Sequence, residues 1–307
     1  MKLNIGVPNS MKVAAMVQPW EGALDGQEIG RLMAEADRLG FNKCMLGEHF
    51  IIPREHIALS GDWYFHTVAA LGYIGGRTSN LRLSSSVSIL PLQNPIVQAK
   101  AWSTLDFMTG GRAEALFGVG WLKEEFDILR VPFDKRGAMA DEYISAMIEL
   151  WTSEDPEFEG EFVSFRNCGF APKPVQKPYV PIWFGGDAPA VQRRVAKFGD
   201  GWSPFRTPPE TFPDCIDYIK SQPEYDGRNL EFFFALEMLN VGAHHEIMDD
   251  PRAPGTSDKQ KIIDQIGWLK DIGITETIVP LPPGIADAQA WIDRQIWVSE
   301  EIMPAIS

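Results

Sequence analysis

The sequence predicts a single (β/α)8 barrel domain over residues 1–307. Three observations predict it. Short apolar runs alternate with stretches of helical periodicity along the whole chain, a pattern that builds parallel sheets. Eight such units in 307 residues fit a closed barrel better than an open doubly wound sheet. Two of the runs end in glycines, Gly118-Val119-Gly120 and Gly185-Gly186, where the backbone can turn sharply or approach a ligand closely.

The elements follow in order. Leu3–Val7 is the first strand, closed by Pro8-Asn9. Ile29, Leu32, Met33, Ala36 and Leu39 fall at helical spacing, and Gly40 stops that helix. Phe41–Leu46 is the second strand and runs into Gly47-Glu48-His49. A loop from Ile51 to Gly61 follows, and Asp62 is the expected N-cap of a helix reaching Arg77. Leu81–Leu90 is a third strand, unusual for its four serines, and Ile96–Met108 is helical. Arg112–Phe117 is the fourth strand. Lys123-Glu124-Glu125 reads as a solvated first helical turn, its acids favoured by the helix dipole.

Asp134 is the expected cap of a long helix to Trp151. The rhythm breaks at 154–179, where an inserted hairpin is expected near residues 157–170, around the alternating Glu161–Phe165. Pro181–Phe184 is the fifth strand, Ala188–Phe198 a helix, and Gly201–Ser203 a short sixth strand. Pro208–Ser221 is helical, Leu230–Val241 is the seventh strand, and 243–257 is a polar loop with His244-His245. Lys259–Ile272, Ile274–Leu281 and Ala286–Met303 complete the last helix, strand and helix.

A net charge of -14 repels phosphate backbones and anionic lipid, which argues against nucleic-acid or membrane-surface partners. Three cysteines, widely spaced and without a CxxC, argue against a disulfide framework or structural zinc and for a reducing compartment. The first residues lack the apolar core of a signal peptide, and no apolar run spans a membrane, so the cytoplasm is the expected location.

Chemistry in such a barrel stands at the C-terminal ends of the strands. Glycines, serines and aromatics dominate there, which suits a flat, neutral ligand and a small-molecule substrate. Gly185-Gly186 joins a strand to a helix and is the best phosphate candidate, with Asp187 expected as the N-cap, competing for the same donors. His49 and Glu48, at the end of the second strand, are the candidate catalytic residues, with His49 the group for proton transfer. His49 and His56 lack the one-turn spacing of a metal-binding pair, and no metal is expected. Trp20, Trp63, Trp121, Trp183 and Trp202 are candidates to line a planar-ligand pocket or to pack in the core.

With these residues in view, the chain resembles the luciferase-like monooxygenase family, in its branch of F420-dependent or FMN-dependent oxidoreductases. The resemblance rests on Ser86–Leu92, Asn94–Lys100, Leu105–Arg112, Gly118–Phe126, Val131–Gly137, Pro181–Gly186 and Gly199–Trp202, taken together and in order. It implies a barrel holding a reduced flavin or deazaflavin at the strand ends. It implies a non-proline cis peptide at Ser86-Val87, and a cofactor tail and phosphate held at Val119-Gly120 and at Gly185-Gly186. It places His49 near the reactive ring. Asp187 and Ala188 depart from the small hydroxyl residues common in relatives, and Leu116 from a glycine. F420-dependent hydride transfer with a small, largely apolar unsaturated or carbonyl substrate is the leading expectation. FMN-dependent monooxygenation with dioxygen and a separate reductase is the alternative, and a non-catalytic ligand-binding barrel is the third. Relatives are often homodimers.

Overall fold

The computed structural model describes residues 1–13, 16–240 and 257–306. The barrel strands are β1 (Lys2–Gly6), β2 (Lys43–Leu46), β3 (Arg82–Ser85) with its continuation β4 (Ser88–Ile89), and β5 (Ala113–Gly118). After the hairpin β6 (Phe158–Glu159) and β7 (Ser164–Phe165) come β8 (Ile182–Gly185), β9 (Gly201–Ser203), β10 (Glu231–Phe232) and β11 (Glu276–Ile278). All barrel pairings are parallel, in the order β10-β9-β8-β5-β3-β2-β1-β11, with β4 beside β5. A bridge between Phe233 and Glu276 closes the ring, supported by Phe234 N–H to Glu276 O at 3.2 Å and Thr275 N–H to Phe232 O at 2.9 Å. This is the predicted (β/α)8 barrel, with the expected antiparallel hairpin inserted ahead of β8.

The helices are α1 (Gly26–Arg38), the single turn α2 (Ile57–Ser60), α3 (Thr67–Gly75), α4 (Pro95–Met108), α5 (Lys123–Leu129) and α6 (Arg136–Thr152). α7 (Pro189–Phe198), α8 (Phe212–Lys220), α9 (Lys259–Asp271) and α10 (Ala288–Trp297) complete the set. Local chemistry explains their limits. In α1, Asp25 accepts the Glu28 N–H at 2.9 Å as N-cap, Ile29, Leu32, Met33 and Ala36 are buried, and Gly40 takes the positive φ of 86° that lets the chain turn away. Outward-facing Leu3, Ile5, Cys44, Leu46, Leu83, Ala115 and Phe117 pack against such helix faces in one continuous core.

Several boundaries differ from expectation. The long third strand is two strands, because the chain breaks pairing at Ser86-Val87. α3 is capped by His66, whose Nδ1 accepts the Ala69 N–H, and not by Asp62. α6 has no side-chain cap, since Asp134 lies inside a 3-10 turn, Phe133–Lys135, that leads into it. The seventh strand ends at Phe232 and turns into the 3-10 segment Leu236–Asn240. Val241, the polar loop and His244-His245 lie outside the described residues.

The lower interior of the barrel is ionic. Lys43, Glu114 and Glu276 are each at most 2% exposed. Lys43 pairs with Glu114 and, at 2.8 Å, with Glu276, while its ammonium lies 4.1 Å from the centroid of the Trp183 ring. Asn4 donates to Glu276 at 2.8 Å and Ser84 to Glu114 at 3.2 Å, so the carboxylates are bonded as well as paired. Above this layer Met45, Leu116, Trp183, Phe233 and Ala235 form an apolar plug, joined by Val87, Met238 and Ile278. The plug separates the ion pairs from the C-terminal mouth.

Candidate functional site

The mouth is built around the Ser86-Val87 peptide, which is cis. The Val87 side chain fills the space that Cβ atoms on two glycines would need: one on Gly118 would meet Val87 Cγ2 at 2.7 Å, one on Gly185 would meet Cγ1 at 2.5 Å. These two glycines are therefore required by the valine between them, a role that the strand-end motif alone does not reveal. The serines account for the ladder bonds that the break interrupts. Ser85 Oγ donates to Leu116 O at 2.7 Å and accepts the Leu116 N–H at 2.8 Å. Ser88 Oγ donates to Glu48 at 2.9 Å. Glu48 is buried and also accepts the Thr67 N–H at 3.2 Å and the Ile89 N–H at 3.4 Å, tying the bulge to the start of α3.

His49 lies at the rim, its side chain 8% exposed. Its Nδ1 is 2.7 Å from Glu125 Oε2, and the other oxygen of Glu125 accepts the Phe50 N–H at 2.6 Å and the Ile51 N–H at 3.3 Å. A carboxylate only accepts, so neutral His49 carries its proton on Nδ1 and presents Nε2 as an acceptor. This corrects the reading of Lys123-Glu124-Glu125 as a solvated turn: Glu125 is 1% exposed. It is a site residue that sequence reasoning missed. A helix-start acid following a strand that ends in glycine was the available signal, but only the closed barrel brings it to His49.

Aromatic edges surround the imidazole. Tyr64 lies 4.9 Å away and Trp121 6.1 Å away, both edge-on, and His56 meets Trp121 at 5.9 Å. Tyr64 donates to Ser60 O at 2.7 Å; burial, and then the charge of Glu125, push its hydroxyl well above the ordinary tyrosine value, so it stays protonated. Among the described residues, Glu55, His56 and Glu124 also bring ligand atoms within 4.8 Å of one another, with both carboxylates exposed.

On the same side of the mouth, next to Trp121, Gly120 takes a φ of 80°, and a Cβ there would meet Phe126 at 2.6 Å and Ile89 at 2.9 Å. Arg136 Nε donates to the Gly120 carbonyl at 3.2 Å, fixing the turn that carries half-buried Val119. Gly186, at a φ of 123°, donates its N–H to Ser203 O at 3.1 Å and accepts Trp202 Nε1–H at 2.8 Å. Trp202 is fully buried against Phe212. The expectation of Trp202 lining the ligand is corrected: it holds Gly186 from the helix side of the barrel wall.

Asp187 is not the N-cap of α7. That position belongs to Ala188, which makes no side-chain bond. The Asp187 carboxylate instead accepts the backbone N–H groups of Phe205, Arg206 and Thr207 at 3.0, 2.8 and 2.8 Å, and the Thr207 hydroxyl at 2.8 Å. A nest of successive N–H groups favours an anion over the single donor of a helix end. The predicted competition is thereby removed: among the described residues, the backbone N–H groups of Asp187 and Ala188 at the start of α7 are without a partner. These donors and the helix dipole suit a phosphate, and the apolar layer under Val87 suits a planar ring, so the residues present fit a flavin-type group.

The family profile of the luciferase-like monooxygenases matches residues 8–243. The chain belongs to the luciferase-like monooxygenase family. It is accordingly an oxidoreductase. Among curated relatives it is 29% identical over 273 residues to the uncharacterized protein Rv0953c of Mycobacterium tuberculosis (strain ATCC 25618 / H37Rv), covering 84% of this chain and 89% of that one. It is also 29% identical over 150 residues to the FMNH(2)-dependent dimethylsulfone monooxygenase of Pseudomonas putida, covering 48% of this chain and 41% of that one. Among solved structures, the coenzyme F420-dependent tetrahydromethanopterin reductase of Methanopyrus kandleri superposes with a TM-score of 0.74 at 16% identity, over 100% of this chain and 99% of that one. This likeness establishes the shared barrel. Among the described residues, no helix of this luciferase-like chain is long and apolar enough to cross a membrane.

Proposed function

We propose that this chain is an F420-dependent oxidoreductase acting on a small, largely apolar unsaturated or carbonyl compound. The observation that carries the reading is the His49–Glu125 pair, a proton-transfer group oriented by a buried acid at the barrel mouth. When bound, the deazaflavin supplies the hydride chemistry. Glu125 holds Nδ1–H of His49, so Nε2 takes a proton from a substrate hydroxyl, or returns one to a substrate oxygen, as the redox step proceeds. Tyr64 and Trp121 limit the orientation of the imidazole and keep water from its edges. Ser86 and Val87 form the ledge for the ring. Glu48 positions that ledge through the bonds it accepts from Ser88, Thr67 and Ile89. Val119 and Gly120 border the tail on one side. Gly185 and Gly186 shape the turn on the other, where the N–H groups of Asp187 and Ala188 receive the phosphate.

The test is fluorescence titration of the purified apoprotein with F420 and with FMN. Saturable F420 binding without FMN binding is the expected result. The reverse would establish a second reading, an FMN-dependent monooxygenase using dioxygen and a separate reductase. That reading is favoured by the identity with the Pseudomonas putida enzyme. Binding of neither would overturn both.

A further inference from the structure

A cavity of about 580 Å³ lies between the C-terminal ends of β1 and β11, the turn before α1, and α10. None of the residues proposed for the cofactor lines it. Its wall is mostly apolar, with Ile5, Val7, Phe41 and Leu281 and the indoles of Trp20 and Trp291. Its size is that of a small-molecule site. Met238 and Ile278 line it and also join the plug beneath Val87, so the cavity adjoins the barrel mouth.

Of the polar groups of the wall, the Trp20 indole N–H, the Gln295 amide and Glu237 are without a partner among the described residues, and of these only Glu237 is ionisable. Glu21 accepts the N–H groups of Asn9 at 2.8 Å and Gln18 at 2.9 Å. Gln18 donates to Pro282 O at 2.9 Å and accepts the Ile285 N–H at 3.0 Å. Asn4 is bonded to Glu276, and Ser10 to the Val7 carbonyl. Glu237 has no hydrogen-bond or ion-pair partner among the described residues. Burial pushes its carboxyl up to about 7, with no charged neighbour among the described residues contributing. A lone acid in an apolar cavity is costly unless a ligand brings the complementary group. Indole walls favour a cation, and the net charge of -14 draws one in.

We infer that this cavity is a second binding site, for a small organic amine with an apolar body, its ammonium group paired with Glu237. The inference does not depend on which redox cofactor the protein uses. Glu21 is the other ionisable residue in the wall, and its two N–H bonds leave Glu237 as the group that faces the ligand.

The experiment is isothermal titration of the full chain with benzylamine, and with benzyl alcohol and benzoate as neutral and anionic controls of the same body. Benzylamine is expected to bind saturably and roughly tenfold tighter than either control, reflecting the charge and ring contacts. Its affinity falls as the pH is lowered through about 7. Glu237→Gln removes the preference for the amine. Gly6→Leu is a second variant, because Gly6 lines the cavity and a Cβ there meets no atom within 4 Å. It fills the space and abolishes binding of all three probes while thermal melting shows the fold retained. Equal binding of the three probes, no saturable benzylamine binding, or benzylamine binding unchanged in either variant overturns the inference.

Discussion

Replacing Glu125 with glutamine is expected to reverse the tautomer of His49. In the native chain one carboxylate oxygen faces Nδ1 at 2.7 Å while the other accepts the Phe50 and Ile51 N–H groups at 2.6 and 3.3 Å. Glutamine keeps its single carbonyl oxygen on those two backbone donors, so the loop holds its shape. Its amide N–H₂ then faces Nδ1, which must become the acceptor and pass the proton to Nε2. The substitution also removes a hydrogen bond to a charged acceptor, worth about 1.5–3 kcal/mol. On that account alone a step using His49 slows by roughly 10- to 100-fold. Long-range proton–nitrogen correlation spectra of histidine-labelled protein read the tautomer directly, with five histidines to assign. The native His49 should show a protonated Nδ1 and a bare Nε2, and the variant the reverse. A native ring protonated on Nε2, or a variant ring unchanged, would refute the reasoning whatever the turnover.

Three further outcomes are expected. Lys43→Met leaves Glu114 and Glu276 buried without their shared cation, which costs roughly 3–5 kcal/mol; a urea midpoint within error of the parent would show that Arg82, 3.3 Å from Glu114, and Lys2, 3.7 Å from Glu276, compensate. Asp187→Asn keeps the acceptor in the 205–207 nest but drops the charge beside the start of α7. Affinity for F420 should therefore rise relative to its phosphate-free deazaflavin core by about 1 kcal/mol or less, and an unchanged ratio in fluorescence titration would move the phosphate elsewhere. Glu237 carries a folded-state value raised from 4.5 to about 7, so the folded chain retains a proton that the unfolded chain releases between those values. Its burial is harmless below 4.5 and destabilising as the pH rises through 7, by at most about 3 kcal/mol. Glu237→Gln should thus match the parent in acid and exceed it above neutrality; a constant difference across that range in chemical denaturation would contradict the assignment.

Local pattern was sufficient for the barrel's order of strands and helices, because periodicity, caps and glycine turns act over a few residues. The place of His49 on the rim was legible for a related reason, because Glu48-His49 closes a single strand, whereas the cis peptide at Ser86-Val87 was implied only by the resemblance to the family. The sequence by itself also marked Gly118, Gly120, Gly185 and Gly186 as the turns of the mouth. Only the tertiary structure decided what each side chain does there. An acid in the first turn of a helix reads the same whether it faces water or a histidine 76 residues away, and closure of the barrel set Glu125 on His49. Asp187 looked like a cap because its nearest donors in sequence are those of α7, yet the nest at 205–207, folded back beside it, offers more of them. Lys43, Glu114 and Glu276 sit in runs that read as apolar strands, and they are tolerated because three separate strands bring opposite charges to one buried layer. Short-range preferences select the elements, whereas the partner of a charged group is whichever complementary group the closed fold brings within reach.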